Sequence, residues 1–371
     1  MKRTHVKGFL RMVGSGIAPL LMVSAGSSSA VDTPEETVRG ESAAQPMREI
    51  VATTLLSKGA DVSWLSEMED KGIKFYYDNS QEGDCMKILK SLGVNAFRFR
   101  VWVNPSGSYS DLPDLLGLCR RAKALGADIM VDLHYSDTWA DPASQSVPAA
   151  WRGLDLNALE KKVSEYTAEV CEALKKEGIS PKWVQIGNET GNGFLWPLGK
   201  ADTNPAGYAR LNNAGQDAVK GVFPQAKTVV HIQNAQNLEN AVWIFDLLRA
   251  NGGRYDVCGF SLYPEQKNYK EMAEKGLSTL RECSIRYGKE TMLCEVGMGV
   301  AYVEECKDFL KLCLDYSQTL GDKYLGVFYW EPEAYGGWNG YLKGAFSDNG
   351  RPTAALTAFG GDSGVREVAA D

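Results

Sequence analysis

The 371-residue chain is long enough for one large α/β domain, and its 44% hydrophobic content supplies an ordinary globular core. A formal net charge of −7, with no basic block after the first few positions, excludes a nucleic-acid binder, because a polyanion would be repelled overall. Nine Trp and sixteen Tyr leave material for stacking surfaces, although most of them belong to a core.

Residues 1–30 read as a secretory signal. Lys2, Arg3, Lys7 and Arg11 form a positive segment, 12–25 a modestly apolar one, and Ser28-Ser29-Ala30 a small-residue cleavage site. An exported protein, periplasmic or extracellular, is the expectation. No cysteine stands there to carry a lipid, and no later segment is apolar and long enough to span a membrane. Residues 31–57 form a polar leader or linker, and 362–371 a tail.

Between them, from 58 to 361, strands and helices alternate. Strands are expected at 59–64, 95–103, 128–134, 183–189, 227–234, 256–263, 291–296 and 324–330. The helices that follow them run over 85–92, 112–125, 156–177, 205–220, 240–250, 269–287, 303–320 and, shortest, 353–359. Eight such alternations describe a single-domain (β/α)8 TIM barrel of the α/β class. A doubly wound open sheet is the competing architecture, disfavoured by the count and by the lack of a glycine-rich phosphate turn after the first strand. Eight cysteines in no zinc-like spacing, several at apolar positions, are expected as buried thiols.

The strand ends carry the chemistry. Gln185-Ile186-Gly187-Asn188-Glu189 and Met292-Leu293-Cys294-Glu295 are apolar runs that finish on a glutamate. Positions 189 and 295 leave room for about three βα units of roughly 30 residues each between them, which places the pair on strands 4 and 7. Either glutamate alone reads equally as a helix cap. Together, at the mouth of a barrel, two carboxylates are what glycoside hydrolysis requires, one as proton donor and one as nucleophile or base. Arg98, Arg100 and Trp102 share one face of strand 2. An arginine beside Glu295 would hold it ionised, whereas burial or a neighbouring charge would raise Glu189. A structural ion pair is the alternative for both arginines. Strand 3 ends Asp132-Leu133-His134-Tyr135-Ser136-Asp137, strand 5 offers His231 and Asn234, strand 6 Ser261 and Tyr263, and strand 8 Trp330-Glu331. His134 suits a sugar hydroxyl and Trp330 a stacking floor, with a structural His and a core Trp as the alternatives. With His134 and His231 the only histidines after residue 30, a zinc site is poorly supported, and no Gly-x-Ser-x-Gly elbow supports a serine triad.

Gly-Ala-Asp-Val-Ser at 59–63, Arg-Val-Trp-Val-Asn-Pro at 100–105, Asp-Leu-His-Tyr-Ser-Asp at 132–137 and Val-Gln-Ile-Gly-Asn-Glu at 184–189 resemble glycoside hydrolase family 53. Gly193-Phe194-Leu195-Trp196-Pro197 and the segment 326–332 extend the likeness, which runs from about 59 to 332. The resemblance implies an endo-β-1,4-galactanase of the clan A barrels, acting with retention on galactan, the side chain of pectic arabinogalactan. It implies Glu189 as acid/base and Glu295 as nucleophile. Asn188 would bind the 2-hydroxyl and Tyr263 the nucleophile. Arg98, Arg100, Asp132, His134 and Trp330 complete the expected substrate-binding set. No organic cofactor is expected. The family raises a structural calcium, which Glu331 and Glu333 do not by themselves establish. A polysaccharide substrate and a monomer are the expected partners.

Two departures from the family pattern stand out. Pro264-Glu265-Gln266-Lys267 replaces a Trp-His-Gly segment in a loop expected to border the cleft, and Cys294-Glu295-Val296-Gly297 is an unusual setting for the nucleophile. They keep two alternatives in play: another clan A glycanase (a mannanase or glucanase), and a barrel that binds sugar without cleaving it.

Overall fold

Eight short runs, each apolar on both faces, form the strands: β1 Ser57–Asp61, β2 Ala96–Val101, β3 Asp128–Leu133, β4 Trp183–Ile186, β5 Lys227–Ile232, β6 Val257–Leu262, β7 Glu290–Val296 and β8 Tyr324–Trp330. In the computed structural model, which describes residues 56–360, they pair in parallel in chain order, and β8 closes on β1. The expected signal segment, nearly all of the leader, and the tail lie outside the described residues. Burial on both faces is what a parallel barrel demands, and nearly every residue of these strands is buried, including the polar ones that point into the barrel.

Seven helices cover the outside: α1 Cys85–Ser91, α2 Leu112–Ala124, α3 Leu156–Lys176, α4 Pro205–Val222, α5 Leu238–Ala250, α6 Tyr269–Tyr287 and α7 Val303–Asp315. Their starts are written locally. Asp84, Asp111, Asp155, Asn204 and Asn237 each accept a hydrogen bond from a first-turn backbone N–H, so α1 to α5 begin on Asx caps. The eighth position holds a 3-10 segment, Ala354–Gly360.

The differences from the sequence reading lie at boundaries and in loops. Several strands stop one to three residues before their expected ends, because the polar tips turn out into the mouth rather than continuing the ladder. The helix expected at 303–320 breaks after Asp315, and a separate turn covers Ser317–Leu320. The connection after β1 holds an unexpected short helix, Leu65–Asp70, and a small hairpin pairing Phe75–Tyr76 with Glu82–Gly83.

Inside the barrel, Ala96, Met130, Trp183, Val229, Val257, Met292, Cys294, Leu325 and Phe328 fill the lower half. Trp183 meets Phe328 edge-on at 5.9 Å. Gly59 makes room for them: a Cβ there would lie 2.2 Å from the Phe328 ring. A second, larger core separates strands from helices.

Two register irregularities interrupt the ladder, one below the mouth on β7 and one at the lower end of β8. Phe260 pairs with Leu293 but Ser261 with Glu295, so β7 carries one extra residue at Cys294. That bulge lets Cys294 and Glu295, neighbours in sequence, both point into the barrel, where regular alternation would send one outward. On β8 the register shifts between Tyr324 and Val327, around Gly326 at φ 128°. A Cβ at Gly326 would sit 2.0 Å from the Ser57 carbonyl oxygen, so only glycine fits where β8 approaches β1.

Candidate active site

At the carboxyl ends of the strands an open cleft of about 750 Å³ is lined by Asn188, Glu189, Tyr263 and Glu295 at its centre. Trp64, Trp102, Trp139, Trp330 and Tyr341 form its walls on the β1, β2, β3 and β8 side. The turns that deliver polar groups to it are strained in a recurrent way. Tyr135, Glu189, Asn234 and Glu331, each just past a strand end, have φ of 50°, 47°, 58° and 46°. A left-handed non-glycine residue costs about 1–2 kcal/mol, which the surrounding contacts must offset. For Glu189 they do so through Thr190, whose backbone N–H donates to the His231 carbonyl at 2.7 Å and whose Oγ1 meets Tyr208 at 3.0 Å.

Arg98 organises the floor. Its guanidinium reaches Asp61 at 2.6 Å, Asp132 at 2.8 Å and Glu295 at 2.9 Å. It also donates to Gln185 Oε1 at 3.0 Å and to Asn188 Oδ1 at 3.0 Å. Five strands or strand ends therefore meet on one side chain that is 1% exposed. Arg98 and Asp132 do not line the cleft. They lie beneath it, so any effect they have on a ligand passes through Glu295 and Asn188.

Glu295 is fixed by Arg98 and by the Tyr263 hydroxyl, which donates at 2.9 Å. Burial raises its pKa, and Arg98 opposes the rise. The expected depression is absent because burial outweighs Arg98, and the charges of Asp132 and Asp61 add to the rise. Glu189 is pushed up to about 8, first by burial and then by the charge of Glu295. Glu189, His231 and Glu295 each place a polar atom within 4.8 Å of the others. The trio does not suit a metal ion, since a guanidinium already occupies Glu295 and both His231 nitrogens are engaged.

The remaining expected residues sit as follows. Arg100 pairs with Glu331 and lies 4.5 Å from the Trp139 ring and 5.4 Å from those of Trp64 and Trp102. It is at once a buried ion pair and the centre of an aromatic wall. His134 reaches the cleft with Nε2 on Asp132 at 2.9 Å, while the Trp102 indole N–H donates to Nδ1 at 3.1 Å. Trp330 lines the cleft against Tyr341, Trp64 and Trp139 at 4.8, 5.1 and 6.0 Å between ring centroids.

Glu331 and Glu333 are fully buried. Arg100 and the Trp64 N–H already hold Glu331, and burial pushes it up to about 7 and Glu333 higher. Such a proton-retaining pair with a guanidinium beside it does not fit calcium, which gathers six to eight ionised or carbonyl oxygens.

The two family departures are placed as follows. Cys294 is wholly buried in the interior layer, and the Glu295 surroundings are tight. The turn after Tyr263 runs away from the cleft, where Glu265 pairs with Lys267 at 3.0 Å and Gln266 donates to Glu305 at 2.8 Å. Five residues before α6 leave it too short to fold back over the mouth.

The groups missed at the sequence level are Asp61 and Gln185 on the floor and the wall residues Trp64, Trp139 and Tyr341. His231 and Ser261 were visible as strand-end residues, but nothing in the sequence set them beside Glu189. Inward alternation on β1 and β4 was the available signal for Asp61 and Gln185. Tyr341 comes from an irregular loop and had none.

Several known proteins are similar to this chain. A protein named probable arabinogalactan endo-β-1,4-galactanase A from Aspergillus terreus is 35% identical over 316 residues, covering 77% of this chain and 88% of that protein. One of the same name from Neosartorya fischeri is 33% identical over 311 residues, covering 76% and 85%. A structure from a study of two fungal β-1,4-galactanases superposes with a TM-score of 0.76 at 31% identity, covering 82% of this chain and 98% of that one. The family model for glycosyl hydrolase family 53 matches residues 57–313, the span from β1 into α7 that carries both glutamates, and to that family the chain belongs.

Proposed function

We propose that the protein is an endo-acting β-1,4-galactanase that hydrolyses galactan with retention of configuration. The observation that carries the reading is the pairing of a half-buried carboxylate with a buried one, oxygens within 4.8 Å, held in different protonation environments. Retaining enzymes keep their carboxyl groups about 5–5.5 Å apart and inverting ones about 6.5–9.5 Å. Glu295, on Arg98 and Tyr263, attacks the anomeric carbon. Glu189, kept protonated by burial, gives its proton to the leaving oxygen and then takes one from the water that releases the glycosyl-enzyme. The chemistry requires no organic cofactor. Galactan as the substrate rests on the names of the relatives, since the catalytic frame is shared across related barrels and loops select the sugar.

Action on a polysaccharide as a monomer is part of this reading. The basic and apolar segments before residue 30 support export to the periplasm or beyond, with one catalytic domain over 58–361. Among the described residues no helix is long and apolar enough to cross a membrane.

The test is a reducing-end assay on linear β-1,4-galactan, with galactomannan and carboxymethyl-cellulose alongside, for wild type, Glu295→Gln and Glu189→Gln. Release from galactan is expected, undetectable in Glu295→Gln and lowered about 10²–10⁴-fold in Glu189→Gln. Cleavage of another polymer instead would reject the substrate, and binding of galactan without turnover would reject the enzyme.

A further inference from the structure

Glu189 stands at the end of a chain of short contacts, Asn188 to His231 to Ser261 to Glu189, and the mechanism above leaves the two middle members unused. The Asn188 amide is fixed in orientation. Its Nδ2 donates to the Ala140 carbonyl at 2.9 Å, while its Oδ1 accepts from Arg98 at 3.0 Å and from Gln185 at 3.1 Å. That oxygen also faces His231 Nδ1 at 2.9 Å. An amide oxygen only accepts, so Nδ1 must carry a proton. Burial and then Arg98 push the His231 ring well below its ordinary pKa, so it carries only that one. Its Nε2 is left as an acceptor, and the Ser261 hydroxyl, 2.8 Å away, gives its single proton there. Ser261 Oγ then has only lone pairs to offer Glu189 Oε1, which lies at 2.7 Å. The contact is a hydrogen bond only when Glu189 holds a proton. Two contacts pull the other way: the Glu189 backbone N–H approaches His231 Nδ1 at 3.4 Å, and the Ser261 hydroxyl also reaches Glu295 Oε2 at 3.5 Å. Both are much longer than the contacts of the chain itself and are the weaker demands.

We propose that His231 and Ser261 are positioning residues, a one-way relay whose direction is set by the Asn188 amide and which holds the acid proton on Glu189. The proposal rests on the reading of Glu189 as proton donor. When that proton passes to the leaving oxygen, Ser261 faces a carboxylate with no proton between them, unless it abandons His231. The lost contact returns when Glu189 takes a proton from the attacking water, so the relay favours resetting of the acid. Glu295 on β7, Arg98 on β2, Asp132 on β3, His134 and Asp141 after β3, and Tyr263 after β6 are the ionisable groups around it.

The relay is tested by ¹⁵N-histidine NMR of the full chain near pH 6, where three imidazoles are to be resolved. His231 is expected as the neutral Nδ1–H tautomer. His134, whose Nδ1 accepts from the Trp102 indole, carries its proton at Nε2 and serves as the contrast. Alongside, the alkaline limb of kcat/KM on galactan is expected to fall by about one pH unit in Ser261→Ala and to be restored in Ser261→Thr, which keeps the hydroxyl. An Nε2–H or doubly protonated His231 would overturn the proposal, because Ser261 would then donate to Glu189 and favour its ionised form. A limb that stays put or rises in Ser261→Ala would overturn it too. The tautomer is read without substrate, so failure of the galactan assignment and failure of the relay are distinguishable.

Discussion

Arg98 shows how much of this site depends on one side chain. A guanidinium has five donors in a fixed fork, and here they serve three carboxylates and two amide oxygens. Removing it leaves Asp61, Asp132 and Glu295 buried without their cation, so Arg98→Met is expected to lower stability by about 3–5 kcal/mol in denaturant melts. A loss below about 1 kcal/mol would mean that water replaces the cation. The same environment fixes the pH dependence. Glu189 must be protonated, so kcat/KM is lost as pH rises through about 8. Glu295 must be ionised, and since burial raises it, the acid limb lies above the ordinary 4.5 of a glutamate. A profile whose alkaline limb fell near pH 5 would exclude Glu189 as the proton donor. Both glutamates were legible in the sequence, because an apolar strand that ends in a carboxylate is a local pattern. An arginine of strand 2 beside Glu295 was legible too, but its partners Asp61, Asp132, Gln185 and Asn188 were not, because they converge from separate strands that only the closed barrel brings together.

At the level of elements, β7 departs from a regular ladder at the site and β8 where it closes on β1. The extra residue at Cys294 turns Glu295 inward, and Gly326 lets β8 approach β1. Gly326→Ala sets a Cβ 2.0 Å from backbone, in addition to a φ of 128°, and is expected to cost more than about 3 kcal/mol or to prevent soluble expression. Gly117, inside α2 with open space where a Cβ would stand, is the counter-case. Gly117→Ala is expected to raise stability by about 0.5–1 kcal/mol, and a thermal melt of both variants checks the contrast. Strand centres followed from apolar runs. The bulges did not, since they show only as a mismatch between neighbouring strands, and the helix and hairpin after β1 form on tertiary contacts such as the Tyr76 N–H on the Gly350 carbonyl.

The molecule as a whole does without covalent cross-links among its eight cysteines, all of them buried as free thiols. Burial pushes the thiols upward, Cys306 to about 11, so the reactive thiolate is scarce at neutral pH. A melting temperature unchanged by reductant is therefore expected, with eight thiols titrating in denaturant and almost none in the native protein. A drop in melting temperature on reduction would reveal a bridge that this structure lacks.

The ring itself closes between its first strand and its last. Ser57 lies opposite Gly326 and Asp61 opposite Trp330, so neighbours in space are the two most distant strands in sequence. During synthesis, at roughly 5–20 residues per second, a nascent chain holds both glutamates before β8 exists. It then has an open sheet edge, no Trp330 in the wall and no Glu331 to hold Arg100. Hydrolytic competence would thus be absent from every shorter nascent chain and arrive only with the closing strand, which makes activity itself a signal that the last strand of the barrel has been made.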